Sequence, residues 1–152
     1  MADYATLAKS IASLTEGETD TVALMATIVC ELHHGDDRFD WTGFYRVAEP
    51  GLLKIGPYQG GHGCLVIPFE RGVCGVAART GEIQLVADVD SFPGHIACAS
   101  STRSEIVLPV RNAAGEIIAV LDIDSDLPGA FTDEDTQALD AILTATFARQ
   151  GS

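Results

Sequence analysis

The chain has 152 residues and a mass near 16.0 kDa, and 47% of its residues are hydrophobic, which favours one domain over residues 1–152 with a buried core and excludes general disorder. Nine basic residues, scattered along the chain, against 22 acidic ones give a net charge of −13, so we expect neither a nucleic-acid partner nor an anionic membrane surface. Neither an apolar run of roughly 18 residues nor a basic and apolar leader is found, so we predict a cytoplasmic protein.

Apolar spacing predicts two helices at the start of the chain. The segment 4–14 repeats apolar residues with a helical period, and a second helix capped by Thr19 or Asp20 is expected to end near Gly35. We expect Cys30, inside the second helix, to be a small buried core residue. The first helix has more apolar surface than packing on a small domain needs, which favours a homodimer.

Short strands separated by glycine and proline turns dominate the rest of the chain. We predict strands at 41–47, 52–58, 65–69, 83–86, 105–110 and 117–123, helices at 72–79 and from the cap Thr132 to about Arg149, and a long loop at 88–104. Strands joined by tight turns pair in antiparallel fashion. The predicted fold class is therefore α+β, with a central antiparallel sheet, helices packed on one face and a loop-walled pocket on the other.

Three further cysteines lie in or next to loops or a short helix. Cys64 follows a glycine-rich segment, Cys74 lies in the helix at 72–79, and Cys98 lies in the long loop. Static disulfides are disfavoured in cytosolic proteins, so such thiols indicate redox chemistry, a metal site or neither. Cys74 is equally compatible with packing its helix onto the sheet and with thiol exchange.

Zinc binding is the weakest of the functional alternatives. The candidate ligands are His62, Cys64, Cys74, His95 and Cys98. Their spacings are permissible, but no Cys-x₂-Cys pair occurs. We therefore predict no metal and no cofactor.

Two carboxylates end a very apolar predicted strand. Asp122 and Asp124 are two residues apart, so both point to the same face of a strand, and Glu105 opens another strand that could bring it to them. Grouped carboxylates bind a cation, such as an ammonium group or a metal, or hold a proton because like charges raise one pKa. The same acids could also cap turns and face water.

The only tryptophan lies in a predicted strand. Alternation places Trp41, Gly43 and Tyr45 on one face of that strand. A tryptophan beside a glycine can form an aromatic wall for a methyl-sulfur or ammonium group. Packing in the core is the commoner fate of such an aromatic side chain.

Six ordered motifs carry a resemblance to a known family. They are Asp40-Trp41-Thr42-Gly43-Phe44-Tyr45, Gly56-Pro57-Tyr58-Gln59-Gly60, Ile67-Pro68-Phe69 with Gly72-Val73-Cys74-Gly75, Phe92-Pro93-Gly94-His95-Ile96-Ala97-Cys98, Ser104-Glu105-Ile106-Val107 and Leu121-Asp122-Ile123-Asp124-Ser125. From about Leu14 to Phe147 the chain resembles free methionine-(R)-sulfoxide reductase, a small GAF-domain enzyme. The resemblance implies reduction of the R epimer of the free amino acid, not of methionine sulfoxide within a protein.

The resemblance implies a role for each loop cysteine. Cys98 matches the catalytic cysteine, whose thiolate attacks the sulfoxide sulfur and becomes a sulfenic acid. Cys64 matches the resolving cysteine, which forms a disulfide with it, and Cys74 matches an auxiliary cysteine. By family analogy, thioredoxin then reduces the disulfide.

The resemblance also implies a substrate pocket. Asp122 and Asp124 are expected to bind the ammonium group, and Glu105 is expected to hydrogen-bond to the sulfoxide oxygen or protonate it. Protonation requires that burial or like charge raise the pKa of Glu105. Trp41 and Tyr45 are expected to form a wall around the S-methyl group.

Asp88 matches an acidic position expected to help shape the pocket, and the loop at 83–104 is expected to act as a lid. Two departures from the family pattern stand out. Ala99 replaces an aspartate expected after the catalytic cysteine, and Gly61-His62-Gly63 replaces a Pro-Val-Ala type of sequence, which predicts a more flexible resolving loop. The alternative function is a non-catalytic GAF sensor of a small ligand.

Overall fold

The computed structural model describes residues 2–95 and 101–149. The elements within these ranges are α1 (Tyr4–Leu14), α2 (Thr21–Gly35), β1 (Trp41–Glu49), β2 (Leu52–Gln59), β3 (Val66–Pro68), α3 (Gly72–Thr80), β4 (Gln84–Val86), a single 3₁₀ turn (Val89–Ser91), β5 (Ser104–Arg111), β6 (Ile117–Ser125) and α4 (Asp133–Phe147). The bounds of every predicted helix and strand lie within two residues of these.

The strands form one antiparallel sheet in the order β3-β2-β1-β6-β5-β4. The hairpins β1–β2 and β5–β6 are adjacent in sequence, whereas the central pair β1–β6 joins segments far apart in the chain. That central pairing places Trp41 opposite Asp124 and Gly43 opposite Asp122. The predicted α+β class with a central antiparallel sheet is confirmed.

One face of the sheet carries the larger apolar core, covered by α1, α2 and α4. Strand alternation points Phe44, Ile106 and Leu121 into this core, and each is fully buried. Burying a side chain of this size stabilises the fold by about 1.5–3 kcal/mol. Among residues 2–95 and 101–149, no helix combines the length and apolarity that crossing a bilayer requires.

The opposite face carries α3 and a second apolar cluster around Tyr45, Val107 and Val120. The prediction that the helices share one face therefore holds for three of the four helices described. Helix α3 can approach the sheet closely because it is built from small residues. A Cβ on Gly75 would lie only 2.7 Å from the backbone oxygen of Phe69.

Cys30 is exposed, so the prediction of a buried thiol is wrong. The buried stripe of α2 consists of Leu24, Met25, Ile28, Val29 and Leu32. Successive helical residues are turned by about 100°. Cys30 therefore lies one step off the stripe, on the solvent side.

A buried ionic network joins the ends of α1, α2 and α4. The Arg38 guanidinium donates to Asp36 at 2.7 Å and to Asp135 at 2.8 Å, and the Tyr4 hydroxyl donates to Asp135 at 2.5 Å. Burial alone would raise the pKa of both carboxyl groups, but hydrogen bonds led by those from Arg38 outweigh it and lower the pKa of Asp36 and Asp135. Both carboxylates therefore stay charged at neutral pH.

Candidate active site

A pocket opens on the α3 side of the sheet. Six of the residues predicted for the site line it: Trp41, Tyr45, Cys74, Glu105, Asp122 and Asp124. They come from β1, α3, β5 and β6, so four separate segments supply its walls. The predicted site residues outside this group are Cys64, Asp88 and Cys98.

Three carboxyl groups meet on the pocket face because of the strand register. Glu105 on β5 is directly opposite Asp124 on β6, and Asp122 follows two residues along the same face. Only 6% of Glu105 and 5% of Asp122 is exposed. The pairing thus brings together acids that lie 17 and 19 residues apart in the sequence.

The mutual proximity and burial of these acids keep protons on them. Burial raises the pKa of Glu105 well above its ordinary value, and the nearby charge of Asp124 adds to the effect. Burial does the same for the pKa of Asp122 and Asp124, reinforced by Glu105 and Asp122 respectively. Three such groups cannot all ionise together, so the cluster holds at least one proton at neutral pH.

Two buried oxygens of the cluster have no hydrogen-bond donor in the described part of the chain. The Oδ1 atoms of Asp122 and Asp124 are buried and have no hydrogen-bond partner among the residues described. A buried carboxylate oxygen without a donor is costly. The arrangement is suited to a ligand that brings its own N–H groups or positive charge.

An aromatic wall stands beside the acids. The Trp41 ring stacks between Tyr45 and Tyr58, with centroid separations of 5.8 and 5.4 Å, and its Nε1 donates to the Gly61 carbonyl at 2.8 Å. The indole covers Gly43, where a Cβ would overlap the ring and lie 2.6 Å from Tyr58 Cβ. Trp41 is thus both packed and a lining residue of the pocket.

Cys74 contributes a buried thiol to the same group. Only 4% of its surface is exposed, and its sulfur lies within 4.8 Å of carboxylate oxygens of Glu105 and Asp122. Burial, and next the negative charge of Asp122, raise the pKa of the Cys74 thiol well above its ordinary value. Since the thiolate is the nucleophile, Cys74 is unreactive in this state.

A GAF domain family model matches residues 15–146 of the chain. Free methionine-R-sulfoxide reductase of Escherichia coli K12 is 45% identical over 138 residues, which cover 90% of this chain and 84% of the relative. The chain belongs to the GAF-domain family of free methionine-R-sulfoxide reductases. The resemblance seen in the sequence motifs is confirmed.

Two solved structures extend the comparison with this reductase family. The structure of fRMsr of Staphylococcus aureus in its reduced form is 38% identical, covers 99% of this chain and 97% of that chain, and superposes with a TM-score of 0.94. The Neisseria meningitidis free methionine-R-sulfoxide reductase, solved in complex with its substrate, is 39% identical, covers 96% and 87%, and gives a TM-score of 0.90.

The cysteine loops of this reductase family member are described in part. Cys64 is disulfide-bonded, while Cys30 and Cys74 are free thiols. Cys98, Ala99 and the centre of the predicted lid lie outside the described residues. The candidate zinc ligands of the weakest alternative therefore include one cysteine outside these ranges and one already in a disulfide.

Of the two glycines in the segment that departs from the family pattern, Gly63 lies against the aromatic wall. A Cβ on Gly63 would lie 2.8 Å from the Trp41 ring and 3.0 Å from the Tyr45 hydroxyl oxygen, whereas Gly61 has open space around it. Glycine at position 63 thus lets the loop backbone rest on the aromatic rings. The predicted flexibility of the loop stays a prediction.

Asp88 is not among the residues that line the pocket. It is exposed, and its carboxylate caps the 3₁₀ turn by accepting from the Asp90 amide at 3.0 Å and the Ser91 hydroxyl at 2.9 Å. Its position supports a role in shaping the loop and not a direct contact with ligand. The cap explains why part of the predicted lid has regular structure.

His95 also lines the pocket, although its sequence position indicated only a candidate zinc ligand. Its Nε2 lies 3.4 Å from Glu105 Oε1, and 15% of its side chain is exposed. Burial lowers the pKa of His95, against an opposing effect of Asp90, so the ring is neutral at pH 7. Because His95 lies in an irregular loop, no helical or strand periodicity in the sequence could predict that its side chain reaches the pocket.

Proposed function

We propose that this chain reduces free methionine-R-sulfoxide to methionine. The observation that carries the proposal is the buried acid cluster with two unpartnered oxygens beside an aromatic wall. A free amino acid brings an ammonium group that can pair with Asp122 and Asp124, whereas a methionine within a protein has an amide in its place. The pocket chemistry therefore favours the free amino acid over a protein-bound residue.

The chemistry requires a nucleophilic thiolate and a proton. The Cys98 thiolate attacks the sulfoxide sulfur, the sulfoxide oxygen takes a proton, and transfer of that oxygen to Cys98 leaves methionine and a cysteine sulfenic acid. The Cys64 thiol then attacks the sulfenic sulfur, forming a disulfide and releasing water. Methionine sulfoxide is reduced by two electrons to methionine, and the two cysteines lose those electrons as they form the disulfide.

Glu105 is the proposed proton donor. An ordinary glutamic acid is ionised at pH 7, but burial and Asp124 raise the pKa of Glu105, so it can hold the required proton. Trp41 and Tyr45 are proposed to surround the S-methyl group, which supports discrimination between the sulfoxide epimers. Cys74 takes an auxiliary role, because its buried thiol is protonated.

Recycling needs a dithiol reductant, and we assign this role to thioredoxin in the cytoplasm. The disulfide at Cys64 is consistent with such a cycle. A reducing compartment regenerates thiols that an oxidising one would trap as disulfides. Because one sheet carries both apolar clusters, we treat residues 1–152 as a single GAF domain.

A homodimer through α1 and α4 is part of the proposal. A groove of about 610 Å³ lies between these helices, and six of its thirteen lining residues are alanines. At the end of α1, 63% of Leu14 is exposed. Sedimentation analysis is expected to show a dimer that Ala8→Glu, in the groove, dissociates. A wild-type monomer at micromolar concentration would remove this part of the proposal.

The deciding experiment is turnover of free methionine-R-sulfoxide, its S epimer and an R-sulfoxide peptide with thioredoxin and with dithiothreitol. We expect turnover of the free R epimer alone, abolished in Cys98→Ser. Turnover with dithiothreitol only would reject thioredoxin and retain the chemistry. Saturable binding without turnover, unchanged in Cys98→Ser, would replace the enzyme with the small-ligand sensor.

A further inference from the structure

We infer that Cys74, Glu105 and Asp122, with His95 beside them, form a Zn²⁺ site inside the pocket. The site stands on the geometry of these side chains and goes beyond the proposed reductase activity. Only the expected competition between the zinc ion and methionine sulfoxide for the pocket rests on the proposed function. The ion is a reversible ligand of the pocket and takes no part in the reaction.

The spacing of the donor atoms suits one tetrahedral ion. Single ligand atoms of Cys74, Glu105 and Asp122 all lie within 4.8 Å of one another. Zinc–sulfur and zinc–oxygen bonds of about 2.3 and 2.1 Å separate tetrahedral donors by about 3.5 Å. Side-chain rotations that move these ligand atoms by about 1 Å therefore bring all three within bonding distance of a single ion.

The imidazole of His95 lies next to one of these three donors. His95 Nε2 is 3.4 Å from Glu105 Oε1, which is the separation expected of two donors on one zinc ion. Sulfur and imidazole donors favour zinc over magnesium or calcium, which prefer oxygen ligands only. The structure thus brings together three donors, one thiol and two carboxyl groups, and of these the His95 imidazole contacts only Glu105, so it completes the set after a shift of its side chain.

A second observation points to a cation independently of this spacing. Asp122 is 5% exposed, and its Oδ1 atom has no hydrogen-bond partner among the residues described. Burial, and next the negative charge of Glu105, oppose ionisation of Asp122 and raise its pKa. A divalent cation removes that repulsion and satisfies the unpartnered oxygen.

Zinc and substrate would occupy the same groups. Asp122 is proposed to pair with the substrate ammonium, and Glu105 is proposed to protonate the sulfoxide oxygen. An ion held by both residues blocks these two interactions at once. We therefore expect Zn²⁺ and methionine-R-sulfoxide to exclude each other.

The test uses the full chain in its oxidised form, stripped of metal, in which Cys64 is disulfide-bonded and cannot ligate. Co²⁺, the spectroscopic substitute for Zn²⁺, is titrated while the thiolate-to-metal charge-transfer absorption is followed. We expect one equivalent of Co²⁺ to bind with this absorption and one equivalent of Zn²⁺ to displace it. Free methionine-R-sulfoxide, which the oxidised chain cannot reduce, is expected to raise the apparent Kd for Co²⁺.

Cys74→Ser is expected to lose the charge-transfer absorption and to bind Co²⁺ at least tenfold more weakly. Cys30→Ser is the matched control, because it removes the other free thiol among the described residues. Cys30 Sγ lies 3.9 Å from His34 Nδ1 on the exposed side of α2, so this pair is the alternative place for a metal ion. Asp122→Asn, which keeps the thiol and the shape of the side chain, is expected to weaken binding similarly. Circular dichroism checks that each variant is folded.

Absorption lost in Cys30→Ser and kept in Cys74→Ser would place the ion on α2 and overturn the proposal. Absence of Co²⁺ binding to the folded oxidised chain would overturn it as well. Binding at Cys74 without competition from the sulfoxide would overturn the shared pocket. None of these outcomes depends on turnover, so failure of the reductase activity is distinguishable from failure of the zinc site.

Discussion

At the residue scale, alternation in the strands is the strongest sequence signal for the site. The two-residue spacing of Asp122 and Asp124 places both on one face, and the same rule separates Trp41 and Tyr45 from Phe44. The direct pairing of Glu105 with Asp124 depends on register, which alternation alone does not fix. The sequence therefore predicts the members of the acid cluster but not their distances.

Residues outside regular elements are harder to predict from sequence. His95 reaches Glu105 from an irregular loop, and Asp88 turns to cap a 3₁₀ helix instead of entering the pocket. Burial is also hard to predict at the edge of a helix face. Cys30 directly follows the buried Val29 in α2, yet its side chain is exposed to solvent.

Glu105→Gln tests the proton donor. Glutamine keeps the shape of the side chain but has no acidic proton, so we expect kcat to fall by about 10²–10⁴-fold, with KM changed much less. The pKa of Glu105 is raised, so wild-type kcat should fall with rising pH only above the ordinary carboxyl range, and this limb should vanish in the variant. The measurement is steady-state kinetics as a function of pH.

The exposed Glu70→Gln is the control for Glu105→Gln and should leave both kcat and the pH profile unchanged. A Glu105→Gln enzyme with wild-type kcat would assign protonation to another acid of the cluster. A lower kcat with an unchanged pH profile would point to a positioning role instead.

Gly43→Ala tests the space beneath the indole. The added methyl group would overlap the Trp41 ring and meet Tyr58 Cβ at 2.6 Å, so the ring must move. Displacing a substrate-positioning group by about 1 Å reduces kcat/KM by up to about 100-fold, and we expect a loss of 10–100-fold here. Kinetics and tryptophan fluorescence report the two effects together.

Gly61→Ala provides the comparison for Gly43→Ala, because nothing lies within 4 Å of a Cβ at that position and its carbonyl still accepts from Trp41. We expect its kcat/KM to stay within about twofold of the wild type. Equal behaviour of the two variants would show that the indole is not fixed by Gly43.

At the scale of elements, helix ends are predictable because their caps are local in sequence. Asp20 caps α2 through the Ala23 amide, Thr132 and Asp135 form a capping box at α4, and Gly81 ends α3 with a φ of 72°. The face on which a helix packs is a tertiary property. Helix α3 has small residues on several sides, so its sequence does not show that it joins the pocket face.

Arg38→Ala tests the network that joins three helix ends. Removing the guanidinium leaves the buried carboxylates of Asp36 and Asp135 without their main donor. Breaking a buried ion pair from one side costs about 3–5 kcal/mol, so we expect the free energy of unfolding to fall by that amount. Urea unfolding at pH 7 measures it.

Lys9→Ala on the exposed side of α1 is the control for charge removal and should change the free energy of unfolding by about 0.5 kcal/mol or less. An equally small change in Arg38→Ala would mean that water or rearranged donors replace the guanidinium. The network would then contribute no more to the free energy of unfolding than a surface ion pair does.

At the scale of the whole molecule, the two faces of the sheet hold carboxylates of opposite behaviour. The pKa of Asp36 and Asp135 is lowered, so their stabilising effect is present above the unfolded pKa and is lost as the pH falls. The pKa of Glu105, Asp122 and Asp124 is raised, so their contribution is present at low pH and is lost as the pH rises. The pocket side therefore destabilises the fold as the pH rises above the ordinary carboxyl range.

Replacing Asp122 and Asp124 together by asparagine should reverse that loss. We compare the free energy of unfolding of the double variant with that of the wild type at pH 5 and at pH 8. The difference should shift in favour of the variant over this interval by more than the ~0.5 kcal/mol typical of surface substitutions. The exposed Asp140→Asn is the control, with a smaller change over the same interval. A double variant that loses stability relative to wild type as the pH rises would show that the cluster is stabilised by its charges.

The exposure of Cys30 has a practical consequence. In the oxidised chain Cys64 is blocked, and the thiol of Cys74 is buried and protonated, so alkylating reagents should attack Cys30 faster than either. A maleimide dye placed there would sit on the helix-covered side of the sheet, away from the pocket. The chain thus carries a built-in attachment point for fluorescence or surface immobilisation that leaves the pocket open.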